Sequence, residues 1–218
     1  MLQFKLFGFQ ITVQPFFWIL TGLLGMNFAA GMENQIFGIA LWIVIVLLSV
    51  LWHELGHAFA FRHYRIESEI VLHGLGGYAM PLQPPRLTRG QDILVSAAGP
   101  AFQLAIGLPL LWLYKSGMLN EFLIGRPLAW PVLFALMFVN IGWPLLNLLP
   151  IFPLDGGRIC HALFGPRREN TALWISLMCA TGVTIWALTL RAPFMAMMFG
   201  MMAWNNWCRL TNRPETPL

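Results

Sequence analysis

The sequence predicts an α-helical polytopic membrane protein, with about six transmembrane helices and a short membrane-associated β-hairpin or sheet. Three observations carry that prediction. Hydrophobic residues make up 58% of the 218 and charged residues only 10%, where a soluble domain carries about 25% charged residues. Charge-free runs lie at 6–32, 34–53, 93–114, 127–154, 170–190 and 192–208, each close to the roughly 20 apolar residues that a spanning helix needs. The first run opens FKLFGFQITVQP, whose alternation and content of Phe, Ile, Thr and Val read as strand or hairpin before a helix that starts near Pro15.

Taken in order, residues 15–32 form the first span, with Gly22 and Gly25 allowing close helix approach. A short outer loop, Gly31 to Gln35, leads into the second span, which runs on to about Tyr64. Residues 66–81, IESEIVLHGLGGYAMP, have strand–turn–strand chemistry, with Ile66, Ile70, Leu72 and Leu75 around a Gly-rich turn. They read either as an ordinary connecting hairpin or as an edge strand that pairs with an extended peptide. After Pro81, Pro84 and Pro85, the third span starts near Ile93 and contains Pro100, Gln103 and Pro109, with Gln103 read as a helix–helix hydrogen bonder. The fourth span reaches Asn147 and breaks at Pro150 and Pro153. Residues 159–169 read as a basic loop, and two final spans flank Arg191, the last with a Met run suited to adaptable packing.

Basic residues set the orientation. With a cytoplasmic N-terminus, the inside segments hold ten Lys and Arg and the outside segments three, namely Lys115, Arg126 and Arg191. That asymmetry predicts an integral multi-pass protein of the cell (inner) membrane with both termini cytoplasmic. The basic residues are spread over short loops, so no nucleic-acid-binding surface is expected. Cys160, Cys179 and Cys208 are scattered and odd in number, which argues against a disulfide framework or a thiolate metal site. Gln10 and Gln14 interrupt the first apolar stretch and no clean cleavage site follows, so the first span is expected to stay. The length suits a single domain, 1–218, without a PDZ or CBS extension.

The second span carries the chemistry. His53-Glu54-Leu55-Gly56-His57 follows a long apolar run with no polar spacer. Ionisable groups at membrane depth are costly and mark function by default. On a helix His53 and His57 lie about 40° apart and about 6 Å along the axis, so both imidazoles can reach one metal ion. Glu54 stands beside them, where it can activate water. A catalytic zinc site takes three protein ligands and keeps one position open. His63 nearly completes an extended zinc motif, but Ala60 stands where that motif has its helix-breaking Gly. An unbroken helix turns His63 about 240° away from His57. His73 and His161 are isolated, and Glu67 and Glu69 belong to a basic cytoplasmic segment. Asp155 is the better third ligand, a carboxylate in an apolar stretch after a chain break, whose alternative role is capping or turn chemistry with Gly156-Gly157.

These residues resemble the site-2 proteases, the intramembrane zinc metalloproteases of peptidase family M50. His53 to His57 is similar to the family's zinc motif. Asn147, Pro150, Pro153, Asp155 and Gly156 match its N-x-x-P-x-x-P-x-D-G pattern. The Gly74-Leu75-Gly76-Gly77 turn and Ser96 to Pro100 also look like family landmarks, and the likeness covers roughly residues 8–160. Gln103 departs from the pattern, because relatives often have Asn after the Gly-Pro pair. The resemblance implies one catalytic Zn2+ held by His53, His57 and Asp155, Glu54 as general base, and Asn147 holding the substrate or its oxyanion. It implies cleavage of transmembrane protein substrates in the bilayer, with Gly76 and Gly77 on the substrate-binding hairpin and a regulatory membrane partner as a further expectation. The competing reading is a catalytically silent membrane scaffold or metal-binding protein that keeps the ligand set. A transporter would spread ionisable groups along a pathway and show internal repeats, and neither is evident.

Overall fold

The computed structural model describes residues 1–74, 76–211 and 213. Leu75, at the tip of the second hairpin, lies outside the described residues. The chain divides into two compact units, Met1–Arg86 with Ala98–Leu145, and Leu87–Ala97 with Leu146–Leu218.

The first unit holds a four-stranded sheet in the order β1 (Leu2–Leu6), β2 (Phe9–Val13), β3 (Ser68–His73), β4 (Gly76–Pro81). β1 and β2 form a hairpin whose two turn residues, Phe7 and Gly8, both have positive φ, 50° and 87°. That is the turn whose twist matches two antiparallel strands. A phenylalanine rarely accepts this conformation, and here Arg62 holds it. The Arg62 guanidinium donates to the Phe7 carbonyl at 2.7 Å and lies 4.3 Å and 4.8 Å from the ring centres of Phe9 and Phe59. In β2, Phe9, Ile11 and Val13 are buried and Gln10 and Thr12 less so, as a half-buried strand requires.

The sequence suggests a strand or hairpin before the first helix and a separate hairpin at 66–81. The structure joins them, because β2 pairs in parallel with β3, Ile11 opposite Ile70 and Val13 opposite Leu72. Parallel neighbours need a crossover, and two helices supply it. They are α1 (Pro15–Ala29), with Pro15 at its first turn, and α2 (Gln35–His63), whose start is capped by the Asn34 side chain accepting from Phe37 N at 3.0 Å. Gly25 lets α1 close on Trp42 of α2, since a Cβ there would lie 2.9 Å from the indole.

α3 (Arg89–Lys115) runs through Pro100 and Pro109 without ending, and starts earlier than the sequence suggests. After the short α4 (Asn120–Leu123), the fourth apolar segment comprises α5 (Ala129–Met137), a π-helical turn (Phe138–Gly142) and α6 (Trp143–Asn147). Composition carries no sign of that π turn. Gly107 of α3 packs against it, and a Cβ at position 107 would lie 2.6 Å from Ile141 Cγ1 and overlap the Asn140 carbonyl.

In the second unit, residues 148–154 are non-helical, as the two prolines predict, and the Phe152–Pro153 peptide is cis. Their backbone is paired from outside the segment. Ser176 Oγ accepts from Phe152 N at 3.1 Å and donates to the Pro150 carbonyl at 3.0 Å, while Asn206 Nδ2 donates to the Phe152 carbonyl at 2.8 Å. The supposed basic loop that follows is instead α7 (Asp155–Phe164) and a 3-10 turn (Pro166–Arg168). Gly156 and Gly157 belong to α7 because their missing side chains let it close on the 148–152 backbone. α8 (Glu169–Thr189) and α9 (Pro193–Leu210) pack together, with Ile151, Ala180, Phe199 and Met202 as core.

Among the described residues, four helices are long and apolar enough to cross a membrane: Gln35–His63, Arg89–Lys115, Ala129–Asn147 and Pro166–Thr189. The sequence suggests six. α1 has 15 residues, about 22 Å of helix against a hydrocarbon core of about 30 Å. α9 carries Asn205, Asn206 and Arg209 in its last turns. Large apolar side chains such as Leu48, Leu94, Trp112, Met178 and Trp186 are exposed, as lipid contact requires.

Two predictions follow from this packing. Gly107→Ala gains about 1 kcal/mol of helix propensity but is expected to lower stability by a net ~1–2 kcal/mol through overpacking; thermal unfolding in detergent reads the sign. The second concerns acid. Burial, the largest cause, pushes the His161 imidazole below its ordinary range, Arg209 pushes the same way, and Glu169 opposes them. Between the lowered folded value and the ordinary unfolded one, the unfolded chain holds more protons. Stability is therefore full above the ordinary imidazole range and falls as pH drops through it toward the folded value. His161→Gln should flatten that acid limb in unfolding midpoints measured against pH.

Candidate metal centre

The α2 end of the site is built by helix periodicity alone. His53 and His57 lie one turn apart on α2 with Glu54 next to His53, and all three are buried. The Nε2 atoms of the two histidines stand 3.1 Å apart, with the rings tilted at 73°. Two nitrogens sharing one tetrahedral zinc at bond lengths of about 2.0–2.1 Å would be about 3.3 Å apart. The pair is therefore spaced as two ligands of one ion.

Gly99 of α3 faces that gap. A Cβ on residue 99 would lie 2.7 Å from His53 Nε2 and would overlap the His57 ring. The missing methyl leaves open the space in front of both lone pairs. Gly56 brings the helices to this distance, since a Cβ there would lie 2.6 Å from the Ala98 carbonyl oxygen. The donor chemistry, two imidazole nitrogens, suits zinc.

Glu54 lies under the sheet. A Cβ on Gly77 of β4 would fall 2.8 Å from Glu54 Cγ and 2.9 Å from Glu54 Oε1. Glycine is required here so that the strand backbone can press on the carboxylate. Gly76 has a different reason, φ of +135°, which L residues rarely adopt. β4 is the last strand of the sheet, so one of its edges has no strand beside it among the described residues.

Asn147 and Asp155 belong to the second unit. Asn147 is the last residue of α6 and is half-buried. Asp155 is buried and is the first residue of α7, whose N-cap position is Leu154. His63 ends α2, exposed and packed on Tyr64, and His73 is half-buried against Tyr78.

Sequence reasoning missed one contact. Gln103 of α3 is fully buried, and its Oε1 lies 2.8 Å from His53 Nδ1. The residue was visible as a lone amide inside an apolar span, but its partner lies 50 residues away. Gly99 was visible within the Ser96–Pro100 landmark, but its place opposite the two histidines was not.

A family model described as peptidase family M50 matches residues 41–132 and 124–185. A protein of Methanocaldococcus jannaschii named as a zinc metalloprotease is 31% identical over 166 residues, which cover 75% of this chain and 45% of that protein. Stage IV sporulation protein FB of Bacillus subtilis is 31% identical over 160 residues, covering 71% of this chain and 48% of that protein. The chain thus spans less than half the length of these curated relatives. In fold, it is similar to the site-2 protease from Methanocaldococcus jannaschii, with a TM-score of 0.61 and 24% identity, covering 100% of this chain and 98% of that one.

If the gap beside Gly99 holds a metal, Gly99→Ala should cut metal affinity about tenfold or more, the scale of changes around a ligand shell, with His53 and His57 intact. Metal content after chelator challenge measures this, and wild-type retention would show that the space is not used.

Proposed function

Because the chain belongs to peptidase family M50, we propose that it is a zinc metalloendopeptidase that cleaves membrane-spanning segments of protein substrates within the bilayer. The observation that carries this reading is the buried histidine pair, with Nε2 atoms 3.1 Å apart, beside a glutamate pressed by a strand of the sheet. His53, His57 and Asp155 would hold one zinc ion. When bound, zinc supplies Lewis-acid activation of a carbonyl and of water.

The chain's own residues do the rest. Glu54 takes a proton from the attacking water and returns it to the leaving amine, while its burial keeps bulk solvent away. The Asn147 amide donates to the oxyanion of the tetrahedral state. A helical substrate hides its scissile carbonyl in its own hydrogen bonds, so it must unwind before attack. The β4 edge at Gly76 and Gly77 would hold it extended by strand addition.

In this reading the two units work as one catalytic domain, and α1 and α9 complete six membrane-embedded helices with both ends of the chain cytoplasmic. The distribution of Lys and Arg supports that orientation. Substrate choice would rest on this core or on a regulatory membrane partner.

The test separates an enzyme from a silent metal-binding scaffold. Glu54→Gln should retain zinc and lose cleavage of a co-expressed single-span substrate by at least about a hundredfold, the scale of a lost general base. Undiminished cleavage would sink the assignment.

A further inference from the structure

We propose that Gln103 is a positioning residue for zinc, one that fixes which nitrogen of His53 carries the proton and so turns the His53 Nε2 lone pair toward the metal. The inference rests on the zinc reading above and deepens it.

The argument begins with the amide itself. A glutamine side chain has one acceptor end and one donor end. The Gln103 donor end, Nε2, points at two backbone carbonyls, Ser49 O at 3.3 Å and Val139 O at 3.4 Å. Carbonyl oxygens only accept. Flipping the amide would set Oε1 against both of them in a site that excludes water, so the orientation is fixed by its surroundings. Oε1 must then be the atom 2.8 Å from His53 Nδ1. An acceptor at that distance requires a hydrogen on Nδ1. Neutral imidazole with hydrogen on Nδ1 has its lone pair on Nε2, the atom that faces His57 Nε2 across the gap beside Gly99.

The two carbonyls are themselves held. Ser49 lies on α2, one turn before His53, and its hydroxyl accepts from Asn140 Nδ2 at 3.0 Å. Val139 and Asn140 sit in the π-helical turn Phe138–Gly142. A π turn widens a helix locally and recurs at functional sites. Here it supplies both the Val139 carbonyl and the Asn140 amide. Three helical segments thus converge on one amide, which leaves His53 a single tautomer and ring orientation before any metal arrives. The site is pre-organised, and a hydrogen-bonded partner also raises the basicity of a ligand imidazole.

The test is zinc affinity of the full chain in detergent, by competition with a fluorescent zinc chelator, for wild type, Gln103→Leu, Gln103→Met and Gln103→Glu. Gln103→Leu and Gln103→Met remove the acceptor and should weaken zinc binding about 10–100-fold. Gln103→Glu keeps an acceptor oxygen while losing the donors to Ser49 and Val139. It should fall below wild type in metal-free thermal stability yet stay within a few-fold of wild type in zinc affinity. That split is what a packing role would not produce. Wild-type affinity in whichever of the Leu and Met variants folds would overturn the proposal. Equal loss of affinity in Gln103→Glu would also overturn it. A wild-type chain that binds no zinc, or binds it as tightly after His57→Ala, would instead overturn the metal reading, and this inference with it.

Discussion

Polar groups carried into an apolar layer must find partners within the chain, because no water is there to serve them. That constraint organises both units. In the first, an imidazole at the end of a long apolar helix finds the Gln103 oxygen, and the Gln103 nitrogen finds two carbonyls. In the second, the bare backbone around Pro150 and Phe152 finds Ser176 and Asn206. In both places a costly group is matched by a residue from another helix, so helix packing and site geometry share the same contacts.

Glycine makes those contacts possible at close range. Gly56 and Gly107 bring α3 against α2 and the π turn, Gly99 leaves room before the two histidine lone pairs, and Gly77 lets a strand rest on Glu54. In a soluble core these gaps would be filled by side chains gaining hydrophobic energy. Within lipid that driving force is weak, and close backbone approach replaces it. The same economy places reactive groups side by side with little freedom to move, which suits chemistry that depends on fixed donors and acceptors.

The small sheet is coupled to the helices by its connections. Its parallel pair is closed by a crossover through α1 and α2, so the strand beside Glu54 and the helix carrying Glu54 belong to one continuous supersecondary unit. Arg62 ties the first hairpin to the end of that same helix through the Phe7 carbonyl and the Phe9 ring. Strand β4 is therefore placed against the glutamate by covalent topology as well as by packing.

Local pattern alone determined much of this protein. The apolar runs, the two prolines after Asn147, the β1–β2 hairpin and the i, i+4 histidines depend on a few neighbouring residues, so they are legible without coordinates. The unbroken helix at Ala60 was legible for the same reason, and α2 does run through it to His63. Tertiary structure decided what requires distant residues to meet. The parallel pairing of β2 with β3, the π turn, the helical state of 155–164 and the use of Gly99 and Gln103 all depend on partners far along the chain or on space left between helices. An isolated Gln in an apolar span announces only that it must bond to something. Which nitrogen of which histidine it meets is settled by two helices and a π turn closing around it.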